Sequence, residues 1–136
     1  MYVDVTDYHG QSVKVDPQRV IKLRPSEVAG DPAGCTLIDF ASGGVFAQGG
    51  LNSIGNIFAP YIPLASLHAP DGSPVLLNAD GIAAILGPDP QYAASGSTAV
   101  VATGFENQRV PARNRIPLAE TVADAQAALA AAHVEA

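Results

Sequence analysis

Residues 69–86, APDGSPVLLNADGIAAIL, combine a turn, an apolar run, a polar step and a second apolar run. Asp71-Gly72 is typical of a tight turn, and the runs on either side of the polar step have the length of short strands. Residues 7–24, DYHGQSVKVDPQRVIKLR, show the same order of features 62 positions earlier. Each stretch therefore predicts two strands separated by a kink, with a glycine that serves the turn.

The offset of 62 positions continues along most of the chain without a gap. Turn residues fall on turn residues and apolar positions fall on apolar positions, as in an internal repeat. The matches are Gly10 with Gly72, Val13 with Val75, Val15 with Leu77, Asp16 with Asn78, Val20 with Ile82, Leu23 with Ile85, AGCT at 33–36 with SGST at 95–98, Ile38 with Val100, and Ile54 with Ile116. We therefore predict an internal duplication; the alternative is that any β-rich chain shows hairpins at a similar spacing.

The composition and the strand pattern predict an all-β fold with one helix. Glycine (13) and proline (11) are frequent, so the regular elements are expected to be short. The predicted division is a first β repeat at 1–59, a second at 63–116, and an alanine-rich helix at 117–134 that begins with Pro117. The connection at 59–64 contains two prolines and is too short to let the repeats move freely.

The charge balance limits the partners. The chain has 7 Lys and Arg against 13 Asp and Glu, which gives a net charge of −6. Binding to nucleic acid or to an anionic membrane surface depends on basic residues, so neither is expected as the main partner. With 48% hydrophobic and 15% charged residues, the chain is expected to fold and not to be disordered.

The compartment is predicted from the cysteine count and from the lack of targeting signals. Cys35 stands alone and cannot form an internal disulfide. The first residues, MYVDVTDYHG, contain no basic stretch followed by an apolar run, so we expect no signal peptide. We also expect no membrane span, and the predicted location is the cytoplasm.

The second repeat, with DGSPVLLNADGIAAI at 71–85, resembles the FlbD-type flagellar small proteins. Those chains carry a glycine turn, an apolar triplet ending in asparagine, a short apolar segment, a threonine-rich strand and a final strand. The same strand order is similar to the five-stranded Sm-like barrel, including the small Sm-like proteins of phages. The resemblance covers residues 3–50 and 65–112.

This resemblance implies two tandem five-stranded Sm/SH3-like small barrels, packed together and followed by the helix. It also implies a homo-oligomeric ring that forms by pairing of edge strands. RNA-binding members of the Sm/Hfq class use basic or aromatic residues in their loops. Here the loops at 24–34 and 86–97 offer only Arg24 and Tyr92, set among acidic residues, so RNA binding is not expected to carry over.

Reactive side chains form no recognisable catalytic or metal-binding motif. His9, His68 and His133 lack the spacing of a zinc site, and the first two are expected in solvated turns. Cys35 has no base nearby in sequence and is predicted to be a buried or half-buried structural residue. The paired glycines within 43–50 are followed by no lysine and are read as turns instead of a phosphate loop. We predict no catalytic residue, metal or cofactor, and the chain is not expected to be an enzyme.

One basic cluster stands out, because ENQRVPARNR at 106–115 collects Arg109, Arg113 and Arg115. Clustered arginines bind phosphate or carboxylate groups, or contact an acidic surface of a neighbouring subunit. Alternatively they pair with Glu106 or Glu120 of the same chain. These three arginines are the predicted binding residues, for an anion or for a second subunit.

The function predicted from these observations is that of a non-enzymatic, self-assembling structural or protein-interaction module. Three alternatives remain open. They are an Sm/Hfq-like RNA-binding regulator, a virion accessory protein of a phage, and a small enzyme or ligand-binding barrel. A deep pocket with perturbed acidic groups would favour the last of these.

Overall fold

The computed structural model describes residues 2–26 and 30–135, and this part of the chain is mostly β-sheet with a helix at its C-terminal end, as predicted. The strands are β1 (Val3–Thr6), β2 (Ser12–Val15), β3 (Val20–Pro25), β4 (Cys35–Phe40), β5 (Gly43–Gln48), β6 (Leu64–His68), β7 (Pro74–Asn78), β8 (Ile82–Leu86), β9 (Ser97–Val101) and β10 (Arg115–Leu118). The helices are α1 (Leu51–Phe58) and α2 (Val122–Glu135). Short 3₁₀ helices span Pro17–Arg19, Ala79–Gly81 and Pro111–Asn114.

The strands form three antiparallel sheets. β1 pairs with β2, the largest sheet has the order β5-β4-β3-β7-β6, and the third has the order β10-β9-β8. β3 is the central strand of the largest sheet and pairs with β4 on one side and with β7 on the other. Because β3 comes from the first half of the chain and β7 from the second, this sheet crosses the predicted boundary at 59–63.

The strands do not close into a barrel in the described residues, and the prediction of closed five-stranded barrels is corrected here. β1 and β2 form a separate sheet that reaches β5 through one bridge, between Asp7 and Ala47. To close the first half, β3 would have to offer its second edge to β2. That edge is occupied by β7, so the arrangement stays open.

The two halves share one order of elements: a hairpin, a 3₁₀ helix, three strands and a helix. Details of the turns repeat as well. Gly10 and Gly72 have φ angles of 84° and 90°, in the left-handed region that glycine tolerates. The side chains of Asp16 and Asn78 cap the two 3₁₀ helices by accepting hydrogen bonds from backbone N–H groups two residues on.

The gapless offset of 62 does not extend to the later strands. Leu23 lies opposite Ile38, and Ile85 lies opposite Ala99, so Ile38 corresponds to Ala99 and not to Val100. The connection between β9 and β10 runs over 102–114, whereas β4 and β5 are joined by residues 41–42 alone. The predicted match of Ile54 with Ile116 therefore fails, because one lies in α1 and the other in β10.

The C-terminal helix begins at Val122, later than predicted. Pro117 lies in β10 opposite Thr98, so it does not occupy the first turn of the helix. The hydroxyl of Thr121 accepts a hydrogen bond of 3.2 Å from the backbone N–H of Asp124, which caps the helix. The segment at 51–58 forms α1.

The core consists of two clusters of buried apolar side chains, one for each half. Leu23, Ile38 and Phe58 are fully buried in the first cluster, and Leu77 and Leu118 in the second. β3 contributes to both: at a register shift between Val20 and Lys22, the side chain of Ile21 packs in the second cluster. The two cores are thereby joined through one strand.

Candidate functional site

A cleft of about 130 Å³ lies between the first half of the chain and the 102–114 connection. Four of the seven basic residues line it: Lys22, Arg24, Arg113 and Arg115. The other lining residues are Ile21, Leu37, Asp39, Phe40, Val101, Phe105, Asn107, Asn114, Ile116 and Pro117. The cleft is therefore a concentration of positive charge in a chain whose net charge is −6.

One wall of the cleft is formed by Lys22 and Arg24, which alternate along β3. The Lys22 ammonium lies 3.6 Å from the Asp39 carboxylate, and the Arg24 guanidinium lies 2.9 Å from that of Asp31. Burial lowers the pKa of Lys22 below its usual value, and the charges of Arg24 and Arg113 lower it further, although Asp39 acts in the opposite direction. An additional negative charge in the cleft would favour the charged form of Lys22.

The opposite wall carries Arg113 and Arg115, on a connection that two asparagines organise. The backbone N–H of Asn107 donates to Asn114 Oδ1 at 2.6 Å, and Asn114 Nδ2 donates to the Asn107 carbonyl at 3.1 Å. Asn107 Oδ1 also accepts hydrogen bonds from the backbone N–H groups of Arg109 and Val110. These bonds fix the backbone on both sides of Arg113.

The structure separates the three predicted arginines. Arg113 and Arg115 line the cleft, while Arg109 lies in a neighbouring open pocket beside Glu106. Within residues 2–26 and 30–135, none of the three forms an ion pair within 4.0 Å, so the suggested pairing with Glu106 or Glu120 is not observed. Glu120 instead lies 2.8 Å from the His68 ring.

Two residues of the cleft were missed by the sequence analysis. Lys22 and Arg24 lie some ninety positions before Arg113, and only the tertiary fold brings them together. Their alternation in VIKLR is a local signal, because residues two apart point to the same side of a strand. That signal identifies a basic strand face, but it does not identify what faces it.

The remaining reactive residues stay apart from the cleft. His9 is exposed in the hairpin turn after β1, and His133 lies 3.6 Å from Asp80. Cys35 is buried at the start of β4, as predicted. In the described part of the chain, no three His, Cys, Asp or Glu side chains are grouped so as to hold a metal ion.

Comparison with models of known protein families, with curated proteins and with solved structures gave no match. None of the helices in the described residues is both long and apolar enough to span a membrane.

A second exposed feature is the free edge of β8, the sequence of which is IAAIL. Among the strands of the described residues, β8 pairs with β9 alone, and it carries no charged residue. Beside this edge, β8 and α2 form an open groove of about 230 Å³ lined by residues 82–85, Gln126 and Leu129. An apolar strand edge without charges is a template for pairing with another strand.

The first half shows what fills such a groove. There the strand equivalent to β8 is β3 and the helix is α1, and β7 pairs with β3 and approaches α1 at Leu76. Gly55 of α1 faces Leu76 of β7 so closely that a Cβ atom at Gly55 would lie 2.8 Å from Leu76 Cδ1. The groove of the first half is thus occupied by a strand of the second half.

Proposed function

We propose that this chain is a non-enzymatic, self-assembling interaction module, built from two related copies of a small Sm-like β-unit. The observation that supports this proposal is the pairing of β3 with β7, which joins the two halves inside one chain. The same contact is available between chains, because β8 corresponds to β3 and β2 corresponds to β7. Both β8 and β2 have only one partner strand in the described residues.

The internal pairing specifies a register for the proposed contact. Lys22 lies opposite Leu77 and Leu23 opposite Leu76 in the β3–β7 pair. Transferred by 62 positions, this register places Ala84 of one copy opposite Val15 of the next, and Ile85 opposite Lys14. Pairing the two edges would satisfy backbone groups that are otherwise left to solvent.

The contact joins two different surfaces, so it is head-to-tail. A head-to-tail contact produces a ring when its rotation closes and a filament when it does not. A closed ring is the arrangement that the Sm resemblance implies, and we propose it for this chain. Each chain would supply two β-units to such a ring.

At the proposed contact, both residues of one internal pair are replaced, and the two replacements can interact with each other. Ile38 and Ala99 are equivalent and lie opposite Val45 and Ile116, so Val45 is equivalent to Ile116. Counting the same number of residues on from each, Gly55 of α1 corresponds to Gln126 of α2. Leu76 corresponds to Lys14 of β2. Inside the chain, Leu76 and Gly55 form an apolar contact. At the proposed contact between copies, the Lys14 ammonium can donate a hydrogen bond to the Gln126 side-chain carbonyl.

Light scattering over a wide concentration range tests the proposal. We expect a closed oligomer, and Ile85→Lys should weaken it because it places two ammonium groups opposite each other across the strands. Adding Lys14→Glu should restore the oligomer. Ser66→Lys, which adds the same charge at an exposed position of the edge strand β6, is the control for an added lysine and should have no effect.

Three outcomes would contradict the proposal. They are a monomer at all concentrations, an oligomer that Ile85→Lys leaves intact, and a failure of Lys14→Glu to rescue an Ile85→Lys variant that circular dichroism shows to be folded. The last result would indicate that two copies of β8 pair with each other, since Lys14 plays no part in that arrangement.

A further inference from the structure

We propose that the cleft between β3 and the 102–114 connection binds a small molecule through a phosphate or carboxylate group. This site is separate from the β8 and β2 edges, so the inference does not depend on self-assembly. It rests on the charge of the cleft, on the way its arginines are positioned, and on where it lies in the repeat.

The charge of the cleft is only partly neutralised by the protein. Four basic side chains line it with one acid, Asp39, which gives the lining a formal charge of +3. Asp39 lies beside Lys22, and Asp31 binds Arg24. Arg113 and Arg115 line the cleft and have no acidic group within 4.0 Å in the described segments, so both remain available as donors for an anion.

The backbone that carries the arginines is held in place before any ligand binds. The reciprocal hydrogen bonds of Asn107 and Asn114 fix the connection, and Asn107 is itself buried. Arg115 begins β10, where its backbone pairs with Val100. A fixed backbone loses less conformational freedom on binding than a flexible one does.

The position of the cleft in the repeat also indicates a ligand site. The 102–114 connection has no counterpart in the first half, where residues 41–42 join the same two strands. The repeat therefore folds without this insertion, and long connections in compact domains commonly carry binding functions. The insertion carries Arg113, and Arg115 follows directly after the insertion at the start of β10.

Asp39 narrows the class of ligand. Its carboxylate lines the cleft, its side chain is 14% exposed, and it can accept a hydrogen bond from a donor in the cleft. A hydroxyl group next to the anionic group would supply that donor. The ligand class that fits is a hydroxylated phosphate ester or hydroxycarboxylate. A nucleic-acid strand fits less well, because the cleft has a volume of only about 130 Å³ and Lys14, Arg19 and Arg109 do not line it.

Isothermal titration calorimetry with glycerol 3-phosphate, citrate and inorganic phosphate tests the inference. We expect saturable binding, with glycerol 3-phosphate or citrate bound more tightly than inorganic phosphate. Arg113→Ala and Arg115→Ala should each weaken binding about tenfold or more. Arg19→Ala, an exposed change outside the cleft, is the matched control and should leave the affinity unchanged.

Asp39→Asn tests the preference for hydroxylated anions separately from the binding of an anion. It should strengthen binding of inorganic phosphate, because it removes a negative charge, and should reduce the preference for hydroxylated anions. Absence of saturable binding by all three anions, or equal binding by the Arg113→Ala/Arg115→Ala double variant, would overturn the inference. Tighter binding of single-stranded RNA would overturn it in favour of an RNA site. Light scattering on the same samples keeps this result distinct from any failure of self-assembly.

Discussion

The side-chain amide of Asn78 donates a hydrogen bond of 2.8 Å to the backbone carbonyl of Val20, and this bond is buried. The carbonyl oxygen of the same side chain accepts from the backbone N–H of Asp80, which caps the 3₁₀ helix of the second half. One residue therefore both forms the kink after β7 and ties β7 to β3. At the equivalent position of the first half, Asp16 caps its helix in the same way, but it has no N–H group to donate.

Replacing Asn78 with aspartate should separate these two roles. Asn78→Asp keeps the oxygen that caps the 3₁₀ helix, but it removes the donor to Val20 and places a carboxylate next to a carbonyl. We expect the free energy of unfolding to fall by about 2–4 kcal/mol, since the buried Val20 carbonyl loses its donor and the introduced carboxylate has no positive group to pair with. Urea denaturation measures this, and an unchanged midpoint would contradict the proposed role.

Asp16→Asn is the reverse change, and it should affect assembly more than stability. In the proposed contact, Asp16 of one copy approaches the carbonyl of Ile82 in the next, just as Asn78 approaches Val20 within the chain. An asparagine there would donate a hydrogen bond where the carboxylate repels. We expect the oligomer to persist to about tenfold greater dilution, as one gained hydrogen bond implies. Light scattering that shows no shift would argue against this register.

Much of the local structure could be predicted because it depends on neighbouring residues. The turn at Gly72 requires a left-handed backbone, and the kink after β7 requires a capping side chain such as Asn78. Each feature therefore requires a residue type that can be recognised in the sequence. The start of α2 was missed because Pro117 suggests a helix terminus as strongly as Thr121 does. Pairing of Pro117 with Thr98 decided between them.

The sheet order could not be predicted, because a strand sequence does not record which strand lies beside it. β3 offers the same hydrophobic pattern to β7 as it would to β2, and the choice depends on the whole fold. For the same reason, the sequence grouped Arg113 with Arg115, which lie two positions apart, but not with Lys22, which reaches them only through the tertiary structure.

We predict that position 96 tolerates only glycine, because another backbone segment approaches it closely. Its N–H donates to the carbonyl of Leu118 at 2.8 Å, and a Cβ atom there would lie 2.6 Å from the carbonyl oxygen of Ala119. Gly96→Ala should lower the free energy of unfolding by about 2 kcal/mol or more, because backbone atoms must move apart. Gly87→Ala is the matched control, since no atom lies within 4 Å of its Cβ position, and it should be neutral in thermal unfolding.

Glu120 should make the stability of the second half depend on pH. Its carboxylate accepts hydrogen bonds of 2.9 Å from the backbone N–H of His68 and of 2.8 Å from the His68 ring. Burial alone would raise the pKa of Glu120, but these bonds outweigh it and hold the pKa below the usual value of 4.5.

Because the folded pKa is depressed, the contribution of Glu120 is fully present above pH 4.5, the ordinary value, and is lost as the pH falls through the folded value. Glu120→Gln keeps an acceptor for the His68 N–H but cannot ionise. We expect the wild type to be more stable than Glu120→Gln near neutral pH, and the difference to shrink as the pH falls below 4.5. A difference that stays constant with pH in chemical denaturation would show that the charge of Glu120 contributes nothing to this contact.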